Sequence, residues 1–207
     1  MRGLDGIAFD TTGLTLQGDQ GNLRTWTTAA GDQVALYDLP PQPECRPVAA
    51  ELDNIRAKSR VQAAKYAGAI VEVELCTIAG HPGIREILKV PRKPTGMMYV
   101  GSLMLPLSDG AYFFTVACFE RGMTGMRDTA IFAKLMQSGE IQLPEGEGQP
   151  AGWMCDPYDP TITGPPARTR ADDEIYDQMF PDHPLSHVRA SLRQIGGSLR
   201  LVGAATS

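Results

Sequence analysis

Two histidines four residues apart, His183 and His187, stand beside Asp177 and Asp182 in a stretch with helical periodicity. An i, i+4 histidine pair on one helix face can chelate a metal ion. Pro184 works against that arrangement. It suits a first helical position and so leaves His183 at or before the cap, where its ring need not line up with His187. No glutamate completes a zincin pattern, so surface or cap histidines are the default reading and no metal or cofactor is expected.

The four cysteines, Cys45, Cys76, Cys118 and Cys155, include no CxxC pair. A cysteine nucleophile needs a histidine base; Cys155, beside Asp156 in a loop, is the candidate with the most exposed setting, whereas Cys118 falls mid-strand and reads as core. GxSxG, GxGxxG and GxxxxGK[ST] are absent, which removes the commonest cues for hydrolase, dinucleotide and P-loop chemistry. Asp156 and Asp159 lack the calcium-loop spacing, and the prolines beside them indicate a turn. Glu120, Arg121 and Arg127 would form a polar cluster at one end of a sheet, Glu120 either pairing with an arginine or capping the turn at Thr124 and Gly125. Met97, Met98, Met104, Met123 and Met126 crowd between positions 97 and 126. Methionine adapts to irregular apolar partners, so Met123 and Met126, with Arg127, are candidate partner-binding residues; core filling is the alternative. No catalytic residue is assigned.

These groups must be positioned by a chain of 207 residues, 43% hydrophobic and 21% charged, which are the proportions of one soluble globular domain. The net charge of −5 gives no reason to expect nucleic acid or an anionic membrane. Between positions 140 and 182 there are ten acids and two bases, so that segment carries −8 and the rest of the chain +3. The N-terminus has no apolar run of secretory length and the longest charge-free stretch is broken by Gly101 and Pro106; a cytoplasmic protein with reduced cysteines and no membrane span is expected.

Residues 1–21 read as an extended lead-in, and 22–207 as a single α+β domain. Leu23–Thr28 and 34–39 form a hairpin around Gly31. Over 48–67, Leu52, Ile55, Ser59, Ala63 and Tyr66 share a helical stripe, Val61 lies opposite, and Gly68 takes the C-cap. Residues 69–77 alternate as an edge strand, Val71, Val73 and Leu75 to one side; His81-Pro82-Gly83 turns the chain into a strand over 84–90. The hairpin of 96–107 and 111–120 is apolar on both faces and must be covered on both. A helix capped by Thr124 and running to Gly139 is expected to pack on that hairpin. A long acidic, Pro-rich loop over 140–171 carries Trp153, Met154 and Tyr158, anchors that clamp it to the body; Trp153 and Tyr158 join the candidate partner-binding residues. A helical segment over 172–179 and a helix over 184–195, with Val188, Leu192 and Ile195 buried, close the chain.

Four words, Tyr99-Val100-Gly101-Ser102-Leu103, Cys118-Phe119-Glu120, Gly122-Met123-Thr124-Gly125-Met126-Arg127 and Phe180-Pro181-Asp182-His183-Pro184-Leu185-Ser186, resemble uncharacterised bacterial proteins of the PsbP-like fold. That fold also occurs in a photosystem accessory subunit and a nuclear-transport regulator. The resemblance implies an antiparallel sheet flanked by helices as an α/β/α sandwich, and a non-enzymatic scaffold that binds a protein partner or a second copy of itself; it transfers no functional residue, and the acidic loop departs from compact members. The runner-up is a small-molecule-binding protein or enzyme with a pocket between the sheet and the acidic loop, using Cys155, His183 or His187.

Overall fold

The computed structural model describes residues 3–42, 46–144, 146, 148–163 and 167–202. Cys45 and parts of the acidic loop therefore lie outside the described residues. The elements run β1 (Ile7–Ala8), β2 (Leu14–Gln20), β3 (Leu23–Thr28), β4 (Gln33–Leu39), α1 (Leu52–Ala64), β5 (Ala69–Ile78), β6 (His81–Pro91), β7 (Met97–Leu107), β8 (Gly110–Phe119), α2 (Met126–Gln137), α3 (Pro184–Ser198) and β9 (Arg200–Leu201). This is an α+β fold whose main sheet, wholly antiparallel, has the order β2-β3-β4-β8-β7-β6-β5. Among the described residues no helix is long and apolar enough to cross a membrane.

Strand alternation divides the core between the two faces of the sheet. Val34, Leu36, Tyr112, Phe114, Val116 and Cys118 turn to one face, where Leu185, Val188, Leu192 and Ile195 of α3 meet them. Gly101 lets α3 settle: a Cβ there would stand 2.5 Å from Val188 Cγ1 and 2.7 Å from Leu192 Cδ1. On the other face, Ile55 of α1 packs with Ile70, Val73 and Ile84. A third cluster lies off the sheet, where Ile131 and Leu135 of α2 meet Ile141, Trp153, Ala171 and Tyr176.

Several local expectations change. The lead-in, described from residue 3, is built in: Leu4 and Ile7 are core residues, β1 pairs with β9, and β2 forms one edge of the main sheet. Tyr66 is exposed, because the helix ends before it and Ala67 takes the left-handed turn with φ of 52°. Gly68 is needed for space, since a Cβ would come within 2.5 Å of the Lys89 carbonyl oxygen. A bulge between Ile70 and Glu72 breaks the alternation, so Val71 joins the α3 face while Val73 and Leu75 stay with α1. The β5–β6 turn falls on Ala79 and Gly80, both with positive φ, and His81, Pro82 and Gly83 pair within the strands. The second face of β8 is only half-buried at Phe113, Thr115, Ala117 and Phe119, because α1 packs mainly on β5 and β6; Tyr37 beside Phe113 and the Arg92 guanidinium over Phe119 supply part of the cover. Helix α2 packs on the returning loop instead of the hairpin.

The loop is clamped, not free. Trp153 is buried against Phe132, Asp156 binds Arg60 of α1, and Tyr158 meets the outer edge of β5. The Tyr158 hydroxyl accepts the Val73 N–H at 2.6 Å and donates to Glu74 at 2.7 Å, while Arg56 donates to the Val73 carbonyl at 3.3 Å. Side chains thus occupy backbone groups that an edge strand would otherwise offer to another chain. The 172–179 segment is two short 3-10 turns, and α3 runs three residues past the expected end at 195.

Candidate functional site

Three of the four words that carried the resemblance, those around Glu120, Met123 and His183, converge at one end of the sheet. Phe119 and Glu120 leave β8, Gly125 opens α2, and His183 opens α3. Between them lies a cleft of about 630 Å3, lined by Glu120, Arg121, Arg127, His183 and His187 and rimmed by Met123, Met126 and Met179.

Glu120, Arg121, Arg127 and His187 are already engaged, whereas the buried His183 Nε2 has no hydrogen-bond partner among the described residues. Glu120 accepts the Gly125 N–H at 2.9 Å and the Met97 N–H at 2.8 Å, so the carboxylate, not Thr124, serves the start of α2. Burial pushes its carboxyl up, but His183 and those two N–H groups outweigh burial and hold it below the ordinary carboxylate value. His183 caps α3, its Nδ1 accepting the Leu185 N–H at 3.2 Å; the neutral ring then carries its proton on Nε2, 3.7 Å from Glu120 Oε1. Arg121 binds Asp32 at 3.2 Å and His187 Nδ1 lies 3.1 Å from the other oxygen of the same carboxylate. The two histidines therefore serve different carboxylates, and among the described residues no group of three or more metal-ligating side chains forms.

Arg127 is 1% exposed. Its guanidinium donates to the Ala171 carbonyl at 2.6 Å, the Ser186 hydroxyl at 3.1 Å and the Asp173 carbonyl at 3.0 Å, and it pairs with Asp177 at 2.9 Å. Arg189 of α3 meets the same Asp177 at 2.9 Å and the Asp172 carbonyl at 2.7 Å. Two buried arginines thus pin the 170–177 segment between α2 and α3.

Of the five residues expected to meet a partner, Met123 and Met126 stand on the rim, 77% and 52% exposed, and the structure adds Met179 at 52%. Arg127, Trp153 and Tyr158 turn inward, to the bonds and packing already described. Cys155 lies in the loop, its N–H bonded to the Arg168 carbonyl, and does not line the cleft. Cys118 is fully buried; burial first, and Asp32 beside it, push its thiol well above the ordinary thiol range and keep it protonated. The described lining contains no serine, threonine, cysteine or lysine beside the His187–Asp32 pair.

Sequence reasoning missed Asp32, Lys89, Asp128, Asp172 and Arg189, and named Asp177 only as a neighbour of the histidine pair, not as the partner of two buried arginines. An aspartate in a tight turn is routine, and a lone charge in a strand or helix reads as solvated; each becomes informative only when its partner, often more than 80 residues away, is known.

No family model matches the chain, and no curated protein matches it. Among solved structures it is similar to PA94, a protein of unknown function from Pseudomonas aeruginosa, with 12% identity and a TM-score of 0.35 over 65% of this chain and 99% of that one.

Proposed function

We propose that the chain is a non-enzymatic accessory protein of the cytoplasm, built as a PsbP-like α/β/α sandwich, that docks a protein partner at the cleft between α2 and α3. The observation that carries this reading is the rim: Met123, Met126 and Met179 expose large apolar side chains around a cleft in which Glu120, Arg121, Arg127 and His187 are bound to neighbouring residues. Exposed apolar surface of this kind marks interaction sites, and methionine suits a partner of irregular shape. The occupant that fits is an extended peptide segment that places an apolar side chain among the methionines and a carboxylate on Arg121, the half-exposed cation at the cleft mouth. An α1 on one sheet face and an α3 on the other support the sandwich.

The test is quantitative capture from native lysate by the wild-type chain and by a Met123→Asp, Met126→Asp double variant with an unchanged unfolding midpoint. One stoichiometric protein, retained by the first and lost by the second, supports docking at the rim; equal capture by both defeats it. Deleting 145–170 is no substitute, since it removes Trp153, Asp156, Tyr158 and Thr169 from the body.

A further inference from the structure

A second cavity, of about 380 Å3, lies on the other side of Tyr99, between the C-terminal end of α1, the turn end of the β6–β7 hairpin and the returning loop. Its walls are small or flat: Ala67, Ala69, Pro91, Met97, Met154 and Ala167. Its polar floor is Lys89, Tyr99, Asp128 and Thr169.

The polar groups on that floor are unequally partnered. The Lys89 ammonium, almost fully buried, is committed to Asp172 at 2.5 Å, and Asp172 also accepts the Thr169 N–H at 2.9 Å. Burial opposes ionisation of Asp172, but Lys89 outweighs it, so that carboxyl stays below its ordinary value. Asp128 has no such counter-ion. Among the described residues it accepts one hydrogen bond, from the Thr169 hydroxyl at 2.7 Å, and its second oxygen has none. Burial, joined by the charge of Asp172, pushes its carboxyl up. The Tyr99 hydroxyl, 1% exposed as a residue, reaches only Asp172 and only at 3.5 Å, the outer limit of a hydrogen bond. With the Lys89 ammonium taken by Asp172 behind the floor, an acceptor oxygen of Asp128 and the Tyr99 hydroxyl are left to a guest.

We propose that this cavity binds a small arylalkylammonium, its ammonium on Asp128 and the Tyr99 hydroxyl and its planar body against Met97 and Met154. A volume near 400 Å3 is within the range of small-molecule sites. Thioether sulfur packs well at aromatic edges, and a half-buried carboxylate lacking a counter-ion gains from a cation that brings its own apolar cover.

The experiment is calorimetric titration of the full chain with three probes of one shape, namely tryptamine, the neutral alcohol tryptophol and the anion indole-3-acetate. Tryptamine is expected to saturate one site, tryptophol to bind at least about tenfold more weakly, as befits loss of a charge-assisted bond, and the anion not to bind. Asp128→Asn, which keeps an acceptor for Thr169, should erase the preference for tryptamine without lowering the unfolding midpoint. Equal binding of amine and alcohol, a preference that survives Asp128→Asn, or no saturable binding of tryptamine at millimolar concentration overturns the proposal. The Met123→Asp, Met126→Asp variant should bind tryptamine as the wild type does, which separates this site from the docking cleft.

Discussion

Arg60 and Asp156, 96 residues apart in the chain, meet through two parallel hydrogen bonds, Nε to Oδ2 at 2.7 Å and Nη2 to Oδ1 at 2.8 Å. This bidentate pair fastens the acidic loop to α1, and the same carboxylate accepts the N–H groups of Tyr158 and Asp159. Burial pushes the Asp156 carboxyl up; Arg60 and the two N–H groups outweigh burial and hold it down. Arg60→Met leaves a buried carboxylate without its partner and should cost about 2 kcal/mol at neutral pH. A carboxylate with a depressed folded pKa stabilises above its unfolded value, near 3.9, and loses that contribution as pH falls through the folded value. Urea midpoints of wild type and Arg60→Met should therefore converge as pH is lowered through that window. A gap that persists at the lowest pH where both fold would take the charge out of the explanation.

Tyr158→Phe removes one oxygen and keeps the ring over which the Arg56 guanidinium sits, 3.5 Å from its centroid. The Val73 N–H then loses its partner and Glu74 keeps only Arg56, at a cost of about 1–2 kcal/mol. Amide exchange at Val73 should accelerate while exchange in β8 does not. Uniform acceleration across the sheet would mean the hydroxyl supports the whole fold instead of guarding one edge.

Gly101→Ala tests how closely α3 lies on the sheet. The added Cβ meets Val188 and Leu192 well inside van der Waals distance, and overpacking of this kind costs about 1–3 kcal/mol. Gly197→Ala is the control, because nothing lies within 4 Å of a Cβ there and alanine favours a helix. Thermal unfolding should fall for the first and not for the second; equal midpoints would show that α3 can shift without penalty.

His183→Ala removes the cap of α3 and should destabilise by about 1 kcal/mol, and His183→Asn, whose side chain caps as well as any, should recover part of it. Both are read by denaturant midpoint. If asparagine is no better than alanine, the ring contributes through its edge contact with Tyr99, 5.3 Å between centroids, and not through the cap.

Much of this architecture can be read from local pattern. The two hairpins, the edge position of β5, the stripe of α3 and the cap position of His183 all follow from spacing and from where glycine and proline fall. The bulge at Val71 could not be read, because the residues around it alternate normally and the extra residue is dictated by pairing with β6. The burial of Leu4 and Ile7 depends on β9, nearly 200 residues later. Within the cleft, the words around Glu120, Met123 and His183 could be noticed singly, whereas their convergence is a property of the sheet. The second cavity left less trace: Lys89 in an apolar strand and Asp172 in a loop look solvated until they are found 2.5 Å apart.

The sheet order also has a history built into it. Strands β2 to β4 form one meander and β5 to β8 another, each made of sequence neighbours, and they are joined at β4 and β8, whose partners lie between 72 residues apart, Leu39 to Ala111, and 84 apart, Gln33 to Ala117. Each meander can zip on its own; the seam must wait for closure of that long loop. Until then two apolar edges stand open, one with Val34 and Leu36, the other with Phe114 and Val116. In concentrated solution β8 of one molecule can accept β4 of another in the same register, so a strand exchange between nascent chains would yield a dimer without requiring any new surface.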